Sequence, residues 1–289
     1  MSRLVSEWLR KFGSLDPQLP HGSNLVTKLK EYDRLDSDKQ KALDAICKEY
    51  EAFQSVCSRR APDSKKWLRD ALRTTEKYLA ALNRPELDVF SHQSDFKSSV
   101  IPEFFYFLFR DVVNRVKPSL VVESQKQIVI ELDFVPESYP IAPKLKRVDV
   151  AILKKTKLKV DKTTVEDFAM PVVAVENKTN LDKNMVSAVE HSVESLKKTF
   201  PLCKYYLVSE FADFAVESQN YAATFIDEIL ILRSQKRSKV RRGARVSPVS
   251  RKLLAGFMRD IETHLTRATR TPKSVKEAMR VGRLIGKRE

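Results

Sequence analysis

Apolar residues in the first third of the chain recur three and four positions apart, which is the spacing of amphipathic helices. Leu43, Ile46, Tyr50 and Phe53 illustrate this pattern. Prolines, glycines, serines and aspartates interrupt it at intervals, and such residues are common at helix ends. The pattern predicts helices over residues 2–12, 23–34, 37–58 and 63–82.

After residue 98 the pattern changes to that of a mixed α/β core. A strongly apolar run over residues 98–116 predicts a buried helix with Pro102 near its first turn. The β-branched runs that follow are typical of strands, and they read QIVIELDFV, RVDVAIL, PVVAVENK, CKYYLVSEF and FIDEILIL. We interpret the lysine-rich segment KKTKLKVDKTT as a turn between the second and third strands.

Two amphipathic segments complete the order of elements. Residues 182–199 are predicted to form a helix between the third and fourth strands, and residues 250–268 a helix after the last strand. The order is then helix, three strands, helix, two strands, helix. It predicts an α/β (α+β) fold with a mixed central β-sheet flanked by helices, preceded by a helical N-terminal region.

The 289-residue chain has a net charge of +15, and nearly all of the excess lies at its C-terminal end. Residues 1–232 contain 35 Lys and Arg against 34 Asp and Glu, whereas residues 233–289 contain 18 against 4. Lysine and arginine release counterions from phosphates, which favours nucleic acid as a partner. The alternative is a solvated basic tail. The candidate DNA-binding residues are Lys236, Arg237, Lys239, Arg241, Arg242 and Arg245.

Composition also limits the class of protein. No apolar run approaches the roughly 18 residues that a membrane span needs, and the N-terminus lacks the features of a secretory signal. We therefore expect an intracellular protein without a membrane partner. The three cysteines are widely spaced and are predicted to be reduced structural thiols.

Charged side chains interrupt two of the predicted strands. Asp149 stands among β-branched residues in RVDVAIL, and the alternation of a strand puts Glu176 and Lys178 on one face in PVVAVENK. Buried charges are costly unless they pair with each other or bind a metal ion. Two carboxylates, with the backbone carbonyl of Asn177, suit a hard cation such as Mg²⁺, which prefers oxygen ligands and keeps several waters. The alternative is an ion pair with a purely structural role.

This pattern resembles the PD-(D/E)XK nuclease superfamily, in particular the type II restriction endonucleases. The resemblance covers about residues 98–232, although Val148 stands where the proline of the family's name would be. A weaker resemblance, in size and in the VENK strand, is to subunits of heterodimeric restriction enzymes. The residues that carry the main resemblance are Glu103 on the helix before the first strand, Asp149 on one strand, and Glu176, Asn177 and Lys178 on the next.

The resemblance implies a restriction-endonuclease-like core that hydrolyses double-stranded DNA at a specific sequence with Mg²⁺. Asp149 and Glu176, with Asn177, would be the metal ligands and Lys178 the catalytic lysine. Glu103 would be a further acid that helps to bind metal or position water, although it also suits an ordinary first helical turn. One site cuts one strand, so the resemblance implies a homodimer or a heterodimer with a similar subunit. It also implies a location in the bacterial cytoplasm.

We predict three regions along the chain. Residues 1–95 form a helical region with a hypothesised role in DNA recognition, residues 96–235 a catalytic core, and residues 236–289 a basic arm with a C-terminal helix. Two other functions stay open at this point. One is a structure-specific nuclease of repair or junction resolution, and the other is a non-catalytic DNA-binding protein in which the three charged strand residues are structural.

Overall fold

A computed structural model describes residues 3–59, 64–90, 94–134, 141–160, 163–213, 224–268 and 280. The helices are α1 (Arg3–Gly13), α2 (Pro20–Lys30), α3 (Ser37–Cys57), α4 (Ser64–Leu82), α5 (Ser94–Ser98), α6 (Val100–Val116), α7 (Lys183–Thr199), α8 (Arg237–Arg241) and α9 (Arg251–Ala268). The strands are β1 (Val121–Phe134), β2 (Ile141–Val160), β3 (Thr163–Leu181), β4 (Lys204–Ala212) and β5 (Glu228–Ile231). The predicted order of core elements and the α/β fold class are confirmed. Within the described ranges, no helix is both long and apolar enough to cross a membrane.

The five strands form one mixed sheet in the order β1-β2-β3-β4-β5. The first three strands are antiparallel neighbours, whereas β3, β4 and β5 run parallel. The change of direction requires a crossover between β3 and β4, and α7 provides it. The side chain of Asp182 accepts a hydrogen bond from Met185 N at 2.9 Å and so caps α7 directly after β3 ends.

Helices cover both faces of the sheet. One apolar cluster joins the N-terminal helices, α6 and α9 to the face that carries Val150 and Val175. A second cluster joins α7, through Val193 and Leu196, to the opposite face that carries Leu207. The sheet is therefore the middle layer of three, and its apolar side chains in these two clusters are covered by helices.

Residues 154–160 and 163–164 of the lysine-rich segment are strand, and not part of a long turn as their composition predicted, while residues 161–162 lie outside the described residues. β2 continues to Val160 and pairs with β3 through partners such as Lys154–Met170 and Lys159–Thr164. Strand pairing uses backbone groups, so lysines that keep their ammonium groups in water do not oppose it. The exposure of Lys154 and Lys159 fits this explanation. Apolar alternation in this segment is limited to Leu158 and Val160 among lysines and threonines, which is too short a pattern to identify a strand, and the prediction failed for that reason.

Glu103 ties the N-terminal helices to the core. It lies in α6 and is fully buried. Its Oε2 accepts hydrogen bonds from the backbone N–H groups of His21 and Gly22, at 2.8 and 2.9 Å, and its Oε1 accepts one from the Tyr50 hydroxyl at 2.8 Å. His21 and Gly22 lie in the first turn of α2, where backbone N–H groups have no partner within the helix. A carboxylate of α6 therefore caps α2.

The fit around this cap is tight. A Cβ atom at Gly22 would lie 2.5 Å from the Tyr50 hydroxyl oxygen, so a larger residue there would displace a partner of Glu103. Burial of the Glu103 carboxyl raises its pKa to about 7, although the hydrogen bonds from Gly22, Tyr50 and His21 act in the opposite direction. The protonated carboxyl is therefore favoured in the folded chain more strongly than in the unfolded chain.

Replacement of Glu103 by Gln is expected to remove a pH dependence of stability. With a folded pKa of about 7 against 4.5 for the free side chain, the contribution of Glu103 is fully present below pH 4.5 and is lost as pH rises through 7. The wild type should therefore lose up to about 3 kcal/mol of unfolding free energy between pH 5 and pH 8 through this group. Glu103→Gln should lose less over the same range, by urea unfolding followed by circular dichroism.

The control is Glu7→Gln, since Glu7 is exposed on α1. It removes one carboxylate without touching the cap and should keep the wild-type pH profile. If Glu103→Gln and the wild type lose the same unfolding free energy between the two pH values, Glu103 does not titrate in this range.

Candidate active site

The sheet forks where β2 and β3 carry their charged residues. The ladder between β2 and β3 ends at the pair Val150–Val175. Before Val150, β2 continues in register with β1, and after Val175, β3 continues in register with β4. Asp149 and Glu176 are the next residues of the two strands past this pair. The fork therefore sets both carboxylates at the point where two arms of the sheet separate.

Asp149 bridges the start of the fork. Its Oδ2 accepts a hydrogen bond from the backbone N–H of Asn177 at 2.7 Å, and its Oδ1 accepts one from the side-chain amide of Gln125 at 3.0 Å. Burial raises the pKa of the Asp149 carboxyl and the negative charge of Glu176 adds to that effect, while the Asn177 and Gln125 hydrogen bonds and the charge of Lys178 act against it. The net result is a carboxylate whose negative charge is not fully compensated by the protein.

Glu176 has more polar contacts than Asp149, the other carboxylate of the fork. Lys178 contacts its Oε1 at 2.9 Å, and both Lys146 and the Tyr205 hydroxyl contact its Oε2, at 3.1 and 2.6 Å. Burial opposes ionisation of Glu176, but the hydrogen bonds from Tyr205 and Lys178 and the charge of Lys146 outweigh it and lower its pKa. Glu176 is therefore held as a carboxylate although it is only 9% exposed.

The fork brings together the four predicted residues of the two strands. Lys178 and Glu176 share a face of β3 and are in contact, as strand alternation predicted, and the backbone of Asn177 is joined to Asp149. Glu103 has a different position. Its hydrogen-bond partners are on α2 and α3 rather than on β2 or β3, so the structure does not group it with the strand residues.

The donor set at the fork fits a hard cation with water ligands. Within the described residues, no group of three or more His, Cys, Asp and Glu side chains is arranged to hold a metal ion. Asp149, Glu176 and the backbone carbonyl of Asn177 offer oxygen donors, which is the ligand type of Mg²⁺. Mg²⁺ typically takes one or two carboxylates from a protein and completes its octahedron with water and substrate oxygens. Two carboxylates therefore agree with this ion.

A cleft of about 1280 Å³ opens beside the fork. Asn177, Lys178 and Thr179 of β3 line it on one side. The other sides are formed by α4, by the segment that leads into α6, and by the chain from α8 to residue 248. Both side-chain polar atoms of Asn177 are buried and have no hydrogen-bond partner among the residues that the structure describes. The predicted catalytic lysine is therefore one of the residues that border this cleft.

The predicted DNA-binding residues lie around α8, and three of the six line this cleft. These are Arg237, Arg241 and Arg245. The other three belong to the same segment but are not among the lining residues, and they are Lys236, Lys239 and Arg242. All six side chains are exposed or half-buried. The basic segment and Lys178, which are about 60 positions apart in the sequence, therefore border one cleft, whereas Asp149 and Glu176 are not among its lining residues.

Internal hydrogen bonds fix the basic segment. The side-chain amide of Gln235 donates to the backbone carbonyl of Arg245 at 2.9 Å and accepts from Ser247 N at 2.6 Å, which closes the loop between them. Gly243 has a φ of 91°, in the left-handed region that glycine adopts without strain, two residues past the end of α8. From here on, the name basic arm is used for residues 235–247 alone, which end before α9 begins.

Arg233, which contributes to the C-terminal charge excess, also lines the cleft, but its guanidinium is held in ion pairs within the fold. It is 4% exposed and pairs with Glu210 at 2.7 Å and with Glu76 of α4 at 3.4 Å. The charge count of residues 233–289 therefore overstates what is available to a polyanion by at least this residue. Part of that count also falls on residues 269–279 and 281–289, which lie outside the described residues.

Sequence reasoning missed three side chains of the fork, namely Gln125, Lys146 and Tyr205. Tyr205 looks like an ordinary strand residue in CKYYLVSEF, and Lys146 stands three positions before Asp149 without any motif around it. Their contacts depend on how β1, β2, β3 and β4 are aligned. The register of those strands is the signal that identifies them, and a single sequence does not contain it.

Comparisons with known proteins agree with this geometry. A sequence model of the Bpu10I restriction endonuclease family matches residues 94–254, which is more than half of the chain. The fold is similar to that of native BbvCI, solved as an A2B2 tetramer at low resolution, with a TM-score of 0.67 and 24% sequence identity over 89% of this chain and 98% of that chain. No curated protein matches the sequence.

The matched range contains the fork and the basic arm, while α1 to α4 lie before it. The likeness to BbvCI establishes the restriction-endonuclease fold, and the family match confirms the predicted type of enzyme, a type II restriction endonuclease. The chain belongs to the Bpu10I restriction endonuclease family.

Proposed function

We propose that this restriction enzyme hydrolyses phosphodiester bonds of double-stranded DNA at a specific sequence, with Mg²⁺ held by Asp149 and Glu176. The observation that carries the proposal is the joint placement of two carboxylates and Lys178 at the fork, beside a cleft lined by arginines. The family match supports the reaction class. A structure-specific nuclease has no comparable observation in its favour.

Each residue of the fork has a distinct proposed task. Asp149 and Glu176 would hold the metal ion together with the Asn177 carbonyl. When bound, that ion lowers the pKa of a coordinated water and neutralises charge on the phosphate. Lys178 would donate hydrogen bonds to the phosphate oxygens on which negative charge grows. This charge grows as the water oxygen bonds to phosphorus and the phosphorus–oxygen bond to the leaving group breaks. Gln125 and Tyr205 keep the two carboxylates oriented.

The walls of the cleft suggest how DNA is held. Arg237, Arg241 and Arg245 would contact phosphates, which position the duplex without reading its sequence. α4 forms another wall of the same cleft and is our candidate for base recognition. This assignment is consistent with a recognition role for residues 1–95. We further propose that the chain acts with a second copy or with a similar subunit, because one site cuts one strand. BbvCI, with the same fold, was solved as an A2B2 tetramer.

Lys178→Ala is expected to abolish cleavage while it preserves DNA binding. A donor that acts mainly on the transition state changes the rate rather than ground-state affinity, and the loss of such a donor typically lowers turnover by about 100-fold or more. The assay incubates supercoiled plasmid with Mg²⁺ and maps the cut ends, with DNA affinity measured separately in Ca²⁺. Stability should change by less than about 1 kcal/mol, since Glu176 keeps Lys146 and Tyr205.

Lys183→Ala is the matched control, because Lys183 is exposed at the start of α7, five residues further on. It should cleave like the wild type. Wild-type rates in Lys178→Ala would contradict the proposed task of Lys178. Cut ends that map to branched junctions or to unrelated sequences, instead of one recurring sequence, would contradict specificity for a sequence.

Asp149→Asn is expected to lose Mg²⁺-dependent cleavage and to weaken Ca²⁺ binding measured by calorimetry, because a carboxylate ligand is lost. Its stability without metal should be unchanged or slightly higher. Burial and the charge of Glu176 raise the pKa of Asp149, so the ionised form destabilises the folded chain. Asp182→Asn serves as control, since Asn caps a helix as well as Asp does. Equal Ca²⁺ affinity in Asp149→Asn and wild type would exclude Asp149 as a ligand.

The double change of Arg241 and Arg245 to Ala is expected to weaken binding to cognate and unrelated DNA alike. Both side chains are exposed and line the cleft. Each lost phosphate contact lowers the slope of log affinity against log salt by about 0.9, so the slope should fall by up to about 1.8. The preferred sequence should not change. Fluorescence anisotropy over a range of salt concentrations measures both quantities.

Changing Lys41 and Lys48 to Ala provides a charge-matched control, because both are exposed on α3 and do not line the cleft. This control should keep the wild-type slope. An unchanged slope in the arginine variant would remove the basic arm from the DNA interface, and an altered sequence preference at constant slope would mean that these arginines read bases.

A further inference from the structure

We propose that Lys146 is a positioning residue of the active site, which holds the Glu176 carboxylate while no metal ion is bound and releases it to the metal ion. This inference rests on the proposed metal site. Lys146 lies on β2, three residues before Asp149, in the arm of the fork that pairs with β1. Its ammonium group reaches across the fork to Glu176 Oε2 at 3.1 Å. The pair is largely enclosed, with side-chain exposures of 17% and 12%.

The pairing of β1 with β2 does not provide Lys146 with an acidic neighbour. The cross-strand neighbour of Lys146 on β1 is Ile128. Lys144, two residues earlier on the same strand, shows the ordinary arrangement, in which its ammonium group pairs with Glu131 of β1 at 3.0 Å. The side chain of Lys146 instead reaches beyond the pair of β1 and β2 and contacts Glu176 on the other arm of the fork. The contact therefore joins two parts of the sheet that share no backbone pairing at that point.

The two positive charges next to Glu176 exceed the single negative charge of its carboxylate. One carboxylate is contacted by two ammonium groups and one neutral hydroxyl. A divalent cation that uses Glu176 as a ligand would stand close to both ammonium groups, and like charges at such distances repel strongly where water is largely excluded. At least one lysine must move away when the metal ion binds.

Lys146 is the lysine that we expect to move. Lys178 borders the cleft that would receive the DNA phosphate, whereas Lys146 is not among the residues that line it. Lys146 also shares Oε2 with Tyr205, whose neutral hydroxyl does not repel a cation and can stay on the carboxylate. Once displaced, the Lys146 ammonium needs another anion, and a phosphate of DNA that enters the site supplies one. Metal and DNA should therefore bind cooperatively through Lys146.

The first test measures Ca²⁺ binding to the full chain without DNA by calorimetry. Lys146→Met removes the competing cation and should bind Ca²⁺ at least about five-fold more tightly than the wild type, the lower end of the usual coupling between sites. Lys144→Met removes the same charge from the same strand without touching Glu176, and it should bind Ca²⁺ like the wild type. Lys146→Arg keeps the charge and should also resemble the wild type. If Lys146→Met does not fold, Lys146→Gln is judged by the same criterion.

The second measurement compares DNA affinity with and without Ca²⁺. In the wild type, Ca²⁺ should increase DNA affinity, and Lys146→Met should reduce that increase at least about five-fold, because coupling between two ligands is reciprocal. A merely structural lysine would affect thermal stability but neither quantity. The inference is overturned if Lys146→Met binds Ca²⁺ no more tightly than the wild type while Asp149→Asn loses Ca²⁺ binding. That outcome leaves the proposed function intact. A wild type that binds no Ca²⁺ overturns both.

Discussion

The separation of β2 from β3 beyond Val150 and Val175 is the constraint on which the candidate site depends. In a continuous antiparallel sheet, the residues after this pair would be direct neighbours in the ladder, and two carboxylates in such positions repel each other. The fork removes that arrangement. It also leaves the backbone N–H of Asn177 beyond the end of the ladder between β2 and β3. This N–H donates its hydrogen bond to the side chain of Asp149 instead of to a backbone carbonyl of β2.

The rest of the fold holds the fork open. β1 keeps one arm in register and β4 keeps the other, so neither arm relies on its contact with the opposite one. α7 closes one face of the sheet, and α6 and α9 close the other, which excludes water from the strands that lead to the fork. The low exposure of Glu176 follows from this enclosure, and the enclosure in turn makes its three hydrogen-bonding partners necessary.

Much of this could be predicted from the sequence because it depends on local patterns. The periodicity of apolar residues located the long helices and all five strands, and strand alternation put Glu176 and Lys178 on the same face. The clustering of arginines located the segment that borders the cleft. These features depend on residues that are neighbours in the sequence or on one strand, so a single sequence contains the information.

Features that depend on contacts between distant elements could not be predicted. Lys146 acquires its partner through strand register, and Arg233 is removed from the surface by Glu76 of a helix 157 positions away in the chain. Glu103 was expected near the metal ligands from its place in a motif, yet its partners are backbone groups of α2 and a tyrosine of α3. The lysine-rich hairpin was misjudged because backbone pairing leaves little trace in composition.

The Glu103 cap has a consequence for which changes of sequence the fold can accept. It joins the first turn of α2 to the helix that covers the sheet, and one apolar cluster runs from α1 through α6 to α9. The N-terminal helices and the sheet therefore share one apolar core and are not two modules on a linker. A foreign helical segment could not replace α2 and α3 without loss of the partners of a buried carboxyl group. Changes of sequence that keep this junction intact are therefore restricted to side chains that do not touch Glu103.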